Sequence, residues 1–429
     1  MVNPYDAVPY ATCPIEWLAP ERLALASLLH GGPRMDLRRF RYLELGCGNG
    51  ANLLPLAYYR RNGTFVGIDA APAACALGQS WVNALSLENL SLHAADFASA
   101  APLLDEPFDF VVVHGVYSWI SEADREALLQ LCREHLCPRG LLYISYNARP
   151  GWDIRGLVRN FLQRQLSPIP QGMTQGQSAQ ALCTQLLPFL KLTDHPFSHL
   201  MASELDLLLG YQPSYVVHDY LAPHNEAFWR SEFLQRMADS GFVYVADADF
   251  NHPSGRVQEQ LPQQLRKAGI SDDALGDTLD LVSYRQFHCA LLTRSSISLN
   301  PLQDRELATM NLSSPMRPVH SAVDGPTDQF EHPTGYTVQA PTEPMLGALQ
   351  RLYLLYPDGA PIGQLFAETP IPRDDLLLLV RNGLLELTFG ELPWPAVDPG
   401  LLHTLEYAHS GFCTSPGHQR LDMTSRNAP

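Results

Sequence analysis

The sequence predicts an α/β protein: a doubly wound parallel sheet, a helical insertion, and a small winged-helix-like module at the C-terminal end. Three observations carry that expectation. Short apolar runs alternate with helical segments from Arg41 to Ser145, as strand–helix–strand crossovers require. Phe108–Val113 reads Phe-Asp-Phe-Val-Val-Val, nearly all apolar, the pattern of a strand covered on both faces. A glycine-rich run, Gly46-Cys47-Gly48-Asn49-Gly50, sits where the first strand hands over to a helix.

Residues 1–20 are rich in proline and aromatic side chains and read as an extended arm. Glu21–Leu29 is a short helix stopped by Gly31-Gly32-Pro33. Residues 1–30 are therefore expected to form an N-terminal arm that acts as a lid. The core spans 31–165. Arg41–Leu45, Thr64–Ile68, Leu90–Ala94, Phe108–Val113 and Leu141–Ser145 are its strands, and Ser121-x-x-Asp124 caps a helix running to Leu136. Residues 166–295 read as helices broken by proline-rich loops, with two late strand-like runs, Gly241–Ala246 and Tyr284–Thr293. Residues 296–340 are rich in Pro, Ser and Thr and read as a linker with one hairpin turning at Pro333-Thr334-Gly335. Residues 341–415 make the C-terminal module, and 416–429 a disordered tail.

Composition narrows the classes. Of the 429 residues, 45 are acidic and 29 basic, a formal charge of −16. Residues 1–165 carry 16 acidic and 14 basic side chains, so the excess lies in the remainder, with 29 and 15. A nucleic-acid partner needs a basic face and is not expected. No apolar stretch approaches the ~18 residues of a membrane span. The first residues have neither the basic nor the apolar region of a signal peptide. The eight cysteines lack zinc-finger spacing. A cytoplasmic location and no metal are the expectations. Only two of the 29 basic residues are lysines, Lys191 and Lys267.

The glycine run carries the chemistry. Gly46, Gly48 and Gly50, with Cys47 and Asn49 between them, let the backbone approach a ligand closely. Asp69 ends the second strand, where a carboxylate accepts from ribose hydroxyls. The run fits a dinucleotide loop as well as one for S-adenosylmethionine. Glu44, two positions before the first glycine, favours the second, because that cofactor has a cationic amino acid end. Asp96, after the third strand, suits an adenine amino group, and Phe97 its ring; helix capping is the alternative use of Asp96. His114, Tyr117 and Trp119 follow the fourth strand, and Tyr146 and Trp152 the fifth, at the edge where open sheets bind ligands.

Asn3-Pro4-Tyr5-Asp6-x-Val8-Pro9-Tyr10, Glu44-Leu-Gly-Cys-Gly-Asn-Gly-Ala-Asn52, His114-Gly-Val-Tyr-Ser-Trp119, and Ser145-Tyr-Asn147 with Pro150-Gly-Trp152 form one pattern. It resembles bacterial class I S-adenosylmethionine-dependent methyltransferases with a methyltransferase regulatory domain. The rickettsial lysine methyltransferases acting on outer-membrane proteins belong to that family. Tyr215-x-x-His218-Asp219-Tyr220-Leu221 and Tyr284-Arg285-Gln286-Phe287 resemble its regulatory segment, where position 219 is more often Glu. The resemblance implies a Rossmann-like methyltransferase sheet. It implies a cofactor site of Glu44, Gly46, Cys47, Gly48, Asn49, Gly50, Asn52, Asp69, Ala70, Asp96, Phe97 and His114.

The expected acceptor is a lysine side chain of another protein, with a small-molecule N- or O-acceptor as the rival and a non-catalytic cofactor-binding protein as a third reading. An amine must arrive neutral, so aromatic residues are expected to desolvate it: Tyr5, Tyr10, Tyr117, Trp119, Tyr146 and Trp152. His114 would orient the acceptor or relay a proton. The apolar helix faces of the C-terminal module suit protein contact, including a homodimer.

Overall fold

The structure, a computed structural model, describes residues 13–166, 172–249, 260–319, 327–356 and 358–389, with two short strands at Phe412–Thr414 and Arg420–Asp422. Seven strands form the central sheet: β1 (Phe40–Leu45), β2 (Gly63–Asp69), β3 (Leu90–Ala94), β4 (Phe108–Val113), β5 (Leu136–Asn147), β6 (Phe242–Asp247) and β7 (Phe287–Arg294). Their order is β3-β2-β1-β4-β5-β7-β6. The first five are parallel, and β7 runs antiparallel to both β5 and β6. The two late strand-like runs thus complete the first sheet. Strand order reverses between β1 and β4, which opens a crevice at their carboxyl ends.

Strand pairing decides which side chains share a face, because neighbours in register point the same way and successive residues alternate. Glu44 pairs with Gly67 and Val112, Val112 with Tyr143, and Tyr143 with Leu291. One pleat further toward the carboxyl edge, the same face carries Asp69, His114, Ser145 and Cys289; Asn147 and Phe287 follow. Beneath this row lies one half of the core, with Tyr42, Phe65, Phe110, Val112 and Tyr143 under the helix Leu53–Tyr59. The other face holds Leu43, Val111, Val113, Ile144, Tyr146 and Leu292, packed with Tyr117, Phe228 and Phe233. Each such side chain, removed from water, contributes roughly 1.5–3 kcal/mol.

Two expectations change. Residues 296–340 are not simply a linker: Leu302, Leu307, Met310, Leu312, Met316 and Phe330 lie in one core with Leu349, Leu352, Leu376 and Val380. Asn311–Ser313 is the middle strand between Ala360–Pro361 and Glu386–Thr388. The module therefore starts some forty residues before position 341. Nor is all of 1–30 a lid. The helix Pro20–Leu29 gives Leu25 and Leu28 to the module's core and Leu23 and Ala26 to the sheet's, and Arg22 pairs with Glu386 at 2.9 Å. Tyr5 and Tyr10, and with them the lid proper, lie outside the described residues, as does the tail's expected disorder. The helix faces expected to seek a partner largely fill their own core: Leu349, Leu352, Leu376, Leu377 and Val380 are buried.

Among the described residues no helix is long and apolar enough to cross a membrane, and no group of His, Cys, Asp and Glu is arranged to hold a metal ion.

Candidate active site

The first half of the site is built where β1 becomes a helix. Gly46, Gly48 and Gly50 have φ of 82°, 56° and 74°, a region side chains disfavour. A Cβ on Gly46 would come within 2.2 Å of Val116. The loop's amides are largely spent internally: Gly46 and Cys47 donate to the Ile68 carbonyl, Gly50 to that of Cys47, and Ala51 to Asn49 Oδ1. The loop thus offers a close-fitting shape more than free donors. The Cys47 side chain is core, only 2.7 Å from where a Cβ on Gly67 would stand, so only its backbone faces the crevice.

Two carboxyl groups stand beside the loop as candidates for recognition. Asp69 accepts the Gly48 N–H at 2.7 Å and the Ala71 N–H at 2.8 Å, one on each oxygen. A carboxylate at a strand's carboxyl end is the group that accepts from ribose hydroxyls in such folds. Ala70 is exposed at the strand's exit. Glu44 is buried and accepts from Asn52 Nδ2 at 3.0 Å. Burial pushes its carboxyl up to about 8, against the Asn52 hydrogen bond and with help from Asp69. A buried carboxyl so placed can give up its proton to meet a cationic group, and it gains nothing from an approaching pyrophosphate. The residues therefore fit S-adenosylmethionine, with Glu44 toward its amino group, and fit a dinucleotide badly. Asn52 also accepts the Ile15 N–H at 3.1 Å, tying the arm to this carboxyl.

Asp96 is exposed, and its Oδ1 accepts from Ser99 N at 2.8 Å and Ser99 Oγ at 2.6 Å; it caps a turn. Phe97 packs against the sheet's far core.

The second half lies over β4 and β5. His114 sits at the centre of an aromatic cluster. Its Nδ1 is 2.9 Å from Tyr143 Oη, its ring is stacked on Tyr143, and Trp17 and Phe287 stand edge-on at 6.5 and 5.8 Å. Trp17 Nε1 donates to the same Tyr143 oxygen at 3.2 Å. Burial holds the His114 imidazole down to about 4, so it is neutral at pH 7 and a weak base. Trp119 and Trp152 meet edge to face at 5.9 Å, and Trp152 Nε1 donates to Asn225 Oδ1 at 2.9 Å.

Tyr117 and Tyr146 do not line this space. Tyr117 packs on Phe228 and Phe233 with its hydroxyl unpartnered among the described residues, and burial pushes that hydroxyl up to about 12. Tyr146 stacks between Phe233, at 3.9 Å, and His288, at 5.1 Å. The reason is pleat parity: Tyr146 is three residues from Tyr143 and so faces the other way. Trp17, Tyr143, Phe287 and Asn225 were not among the expected residues. Parity counted from Glu44 through the paired strands is the signal that finds Tyr143.

Residues after β5 hold the wall in place. Arg155 bonds Glu204 at 2.9 Å and Asp219 at 3.3 Å, all three buried, and its guanidinium lies over the Trp152 ring at 4.7 Å. Tyr220 donates to Glu204 at 2.7 Å, and Arg159 bonds the carbonyls of Asp219 and Ala222. The segment that follows crosses the carboxyl ends of β4 and β5. Glu226 N donates to Ser118 O at 2.8 Å and Phe228 N to Asn147 O at 2.9 Å. A separate cleft of about 400 Å³, between Gly31–Arg34 and Ser296–Glu306, touches none of these residues.

Residues 43–140 match the family described as methyltransferase domain, and 212–294 that described as predicted methyltransferase regulatory domain. The chain carries a class I methyltransferase domain and a methyltransferase regulatory domain. The cofactor of the methyltransferase domain is S-adenosylmethionine. The fold agrees with the structure of PKMT2 from Rickettsia typhi: TM-score 0.80, 19% identity, covering 96% of this chain and 86% of that one. That protein has also been solved in complex with AdoHcy. An uncharacterized Rickettsia prowazekii protein is 27% identical over 300 residues, 70% of this chain and 54% of its own length. An uncharacterized Synechocystis protein is 24% identical over 66% of this chain and 56% of its own length. The chain thus spans about half the length of these two curated relatives. The regulatory-domain match takes in Asp219, Asn225, Phe228 and Phe287, which lie beside the candidate site.

Proposed function

We propose that the protein is an S-adenosylmethionine-dependent methyltransferase that methylates lysine side chains of another protein. The observation that carries this reading is the pairing, on one sheet face, of a buried Glu44 carboxyl with a neutral aromatic cluster around His114. When bound, S-adenosylmethionine supplies an electrophilic methyl group and leaves as a neutral thioether. Glu44, Asp69 and the glycine loop hold and orient it. Trp17, His114, Phe287 and the Trp119–Trp152 pair exclude water from the approaching amine. Deprotonating a lysine at pH 7 costs roughly 4–5 kcal/mol from its ordinary pKa of ~10.4, and an apolar approach lowers that by disfavouring the ammonium. No base is needed beside the amine once it enters neutral.

The excess of acidic over basic residues, −16 overall, attracts a cationic partner protein over about a Debye length, ~8 Å at physiological salt. The resemblance to rickettsial lysine methyltransferases points the same way. The scarcity of lysine, two in 429 residues, suits an enzyme that spares itself.

The test is incubation of the protein with cell extract and methyl-labelled S-adenosylmethionine, followed by mass spectrometry. Label on lysine Nζ of protein, rising from pH 7 toward 9 and falling with added salt, supports the reading. Label confined to small molecules would replace it with small-molecule methylation.

A further inference from the structure

We propose that Asn147 positions the methyl-accepting nitrogen, a role that rests on the amine-methyltransferase reading above. Asn147 is the last residue of β5 and is 1% exposed, yet its side-chain Nδ2 has no hydrogen-bond partner among the described residues. Its backbone is fully engaged. Asn147 N donates to Ser118 Oγ at 2.9 Å, and its carbonyl accepts from Phe228 N at 2.9 Å. The loop after β4 and the regulatory segment therefore clamp the residue from both sides, while its amide is left unmatched. A buried amide without a partner is unfavourable, and native proteins rarely keep one without a use.

Its position supplies the use. Asn147 shares a sheet face with Tyr143 and Ser145, and pairs across the sheet with Phe287, whose ring meets His114 edge-on. Along the carboxyl edge, β1 carries Glu44, β2 carries Asp69, β4 carries His114 and β5 carries Asn147. The cofactor-facing carboxylates occupy β1 and β2, so an acceptor must enter over β4 and β5. There the His114 nitrogen facing β5 is taken up with Tyr143, and Ser145 Oγ accepts from Gly115 N at 2.8 Å. Asn147 is the uncommitted polar side chain of that row. An amide carries a donor and an acceptor on one planar group, and half a turn exchanges them. Its Oδ1 then takes an amine N–H and leaves the nitrogen lone pair free to face the methyl group.

The experiment needs no acceptor. Sinefungin carries a primary amine on carbon in place of the cofactor's methylsulfonium; S-adenosylhomocysteine has only a bare thioether there. Both are titrated calorimetrically into the full-length protein and its Asn147→Ala and Asn147→Asp variants. Asn147→Ala should raise the Kd of sinefungin about tenfold, the worth of one hydrogen bond to a charged group, and leave S-adenosylhomocysteine within about twofold. Asn147→Asp, a carboxylate facing the amine, should bind sinefungin at least as tightly as the wild type. A merely structural asparagine would not produce that opposite sign. Equal weakening of both ligands in both variants, or no change in either, would overturn the assignment. Failure of the lysine reading appears elsewhere, as label on a different acceptor, and leaves this contrast between the two ligands readable.

Discussion

Asn52 donates from Nδ2 to the buried Glu44 carboxylate at 3.0 Å while its Oδ1 receives the backbone N–H of Ile15 at 3.1 Å. One side chain thus couples the group that faces the cofactor's cationic end to the segment that enters from the N-terminal arm. Replacing Asn52 by Ala removes the hydrogen bond that opposes the upward shift of Glu44 and releases Ile15. Cofactor affinity at pH 7 should fall about tenfold by calorimetry, as expected for a hydrogen bond to a charged group. Limited proteolysis should cut earlier near residue 15.

Glu44 gives cofactor binding a pH signature. Its carboxyl is raised to about 8 by burial. Below that, binding a cationic amino group must expel the Glu44 proton, so affinity rises with pH. Above it, the free cofactor's amino group, with an ordinary value near ~8, must take a proton back, so affinity falls. A bell centred near pH 8 is expected in calorimetric titrations. Glu44→Gln should abolish the acid limb. The sign for stability is the reverse of an ordinary ion-paired carboxylate. The folded state binds more protons than the unfolded one between about pH 4 and pH 8, so this carboxyl destabilises the fold as pH rises through that window. Glu44→Gln should therefore melt higher than the wild type at pH 8 in the absence of cofactor.

Tyr117 separates core from channel. Its hydroxyl has no hydrogen-bond partner among the described residues, and its ring is packed between Phe228 and Phe233. Tyr117→Phe should leave methyl transfer unchanged and stability equal or slightly higher, because an unsatisfied buried hydroxyl is removed. Tyr117→Ala should cost about 3–5 kcal/mol in denaturant unfolding, the usual penalty for emptying an aromatic site. A channel residue would show the opposite pattern, with activity lost and stability kept.

Much of this was readable from the chain. Leu43–Gly50 announces the strand, the loop and Glu44, because close approach demands glycine and an unbroken apolar run demands a buried strand. The two late strands were visible as apolar runs, although their antiparallel direction was not. Tyr146 misled because β5 is apolar on both faces, so hydrophobicity does not reveal which way a tyrosine points, and Tyr117 because it lies in the loop after β4, where no strand period fixes its direction. Trp17 and Tyr143 lie 126 positions apart, and their hydrogen bond exists only in the fold. Leu302, Met310 and Met316 follow no period, and so a segment that supplies core read as a linker.

That segment decides what a truncation would do. Removing residues 341–429 would strip Leu349, Leu352, Leu376 and Val380 from a core they share with Leu25, Leu28, Leu307 and Leu312. The truncated chain should melt well below the full-length protein and bind the hydrophobic dye ANS. A cut at 341 that left the melting curve unchanged would show that the two parts fold apart.

The most direct measurement is a crystal structure of the protein with S-adenosylhomocysteine. The account predicts density on the face of Glu44, Asp69 and His114. The amino group should approach Glu44 directly or through one water, the ribose should meet Asp69, and the sulfur should point toward Asn147. Density among Tyr117 and Tyr146, or in the cleft between Gly31 and Glu306, would contradict it.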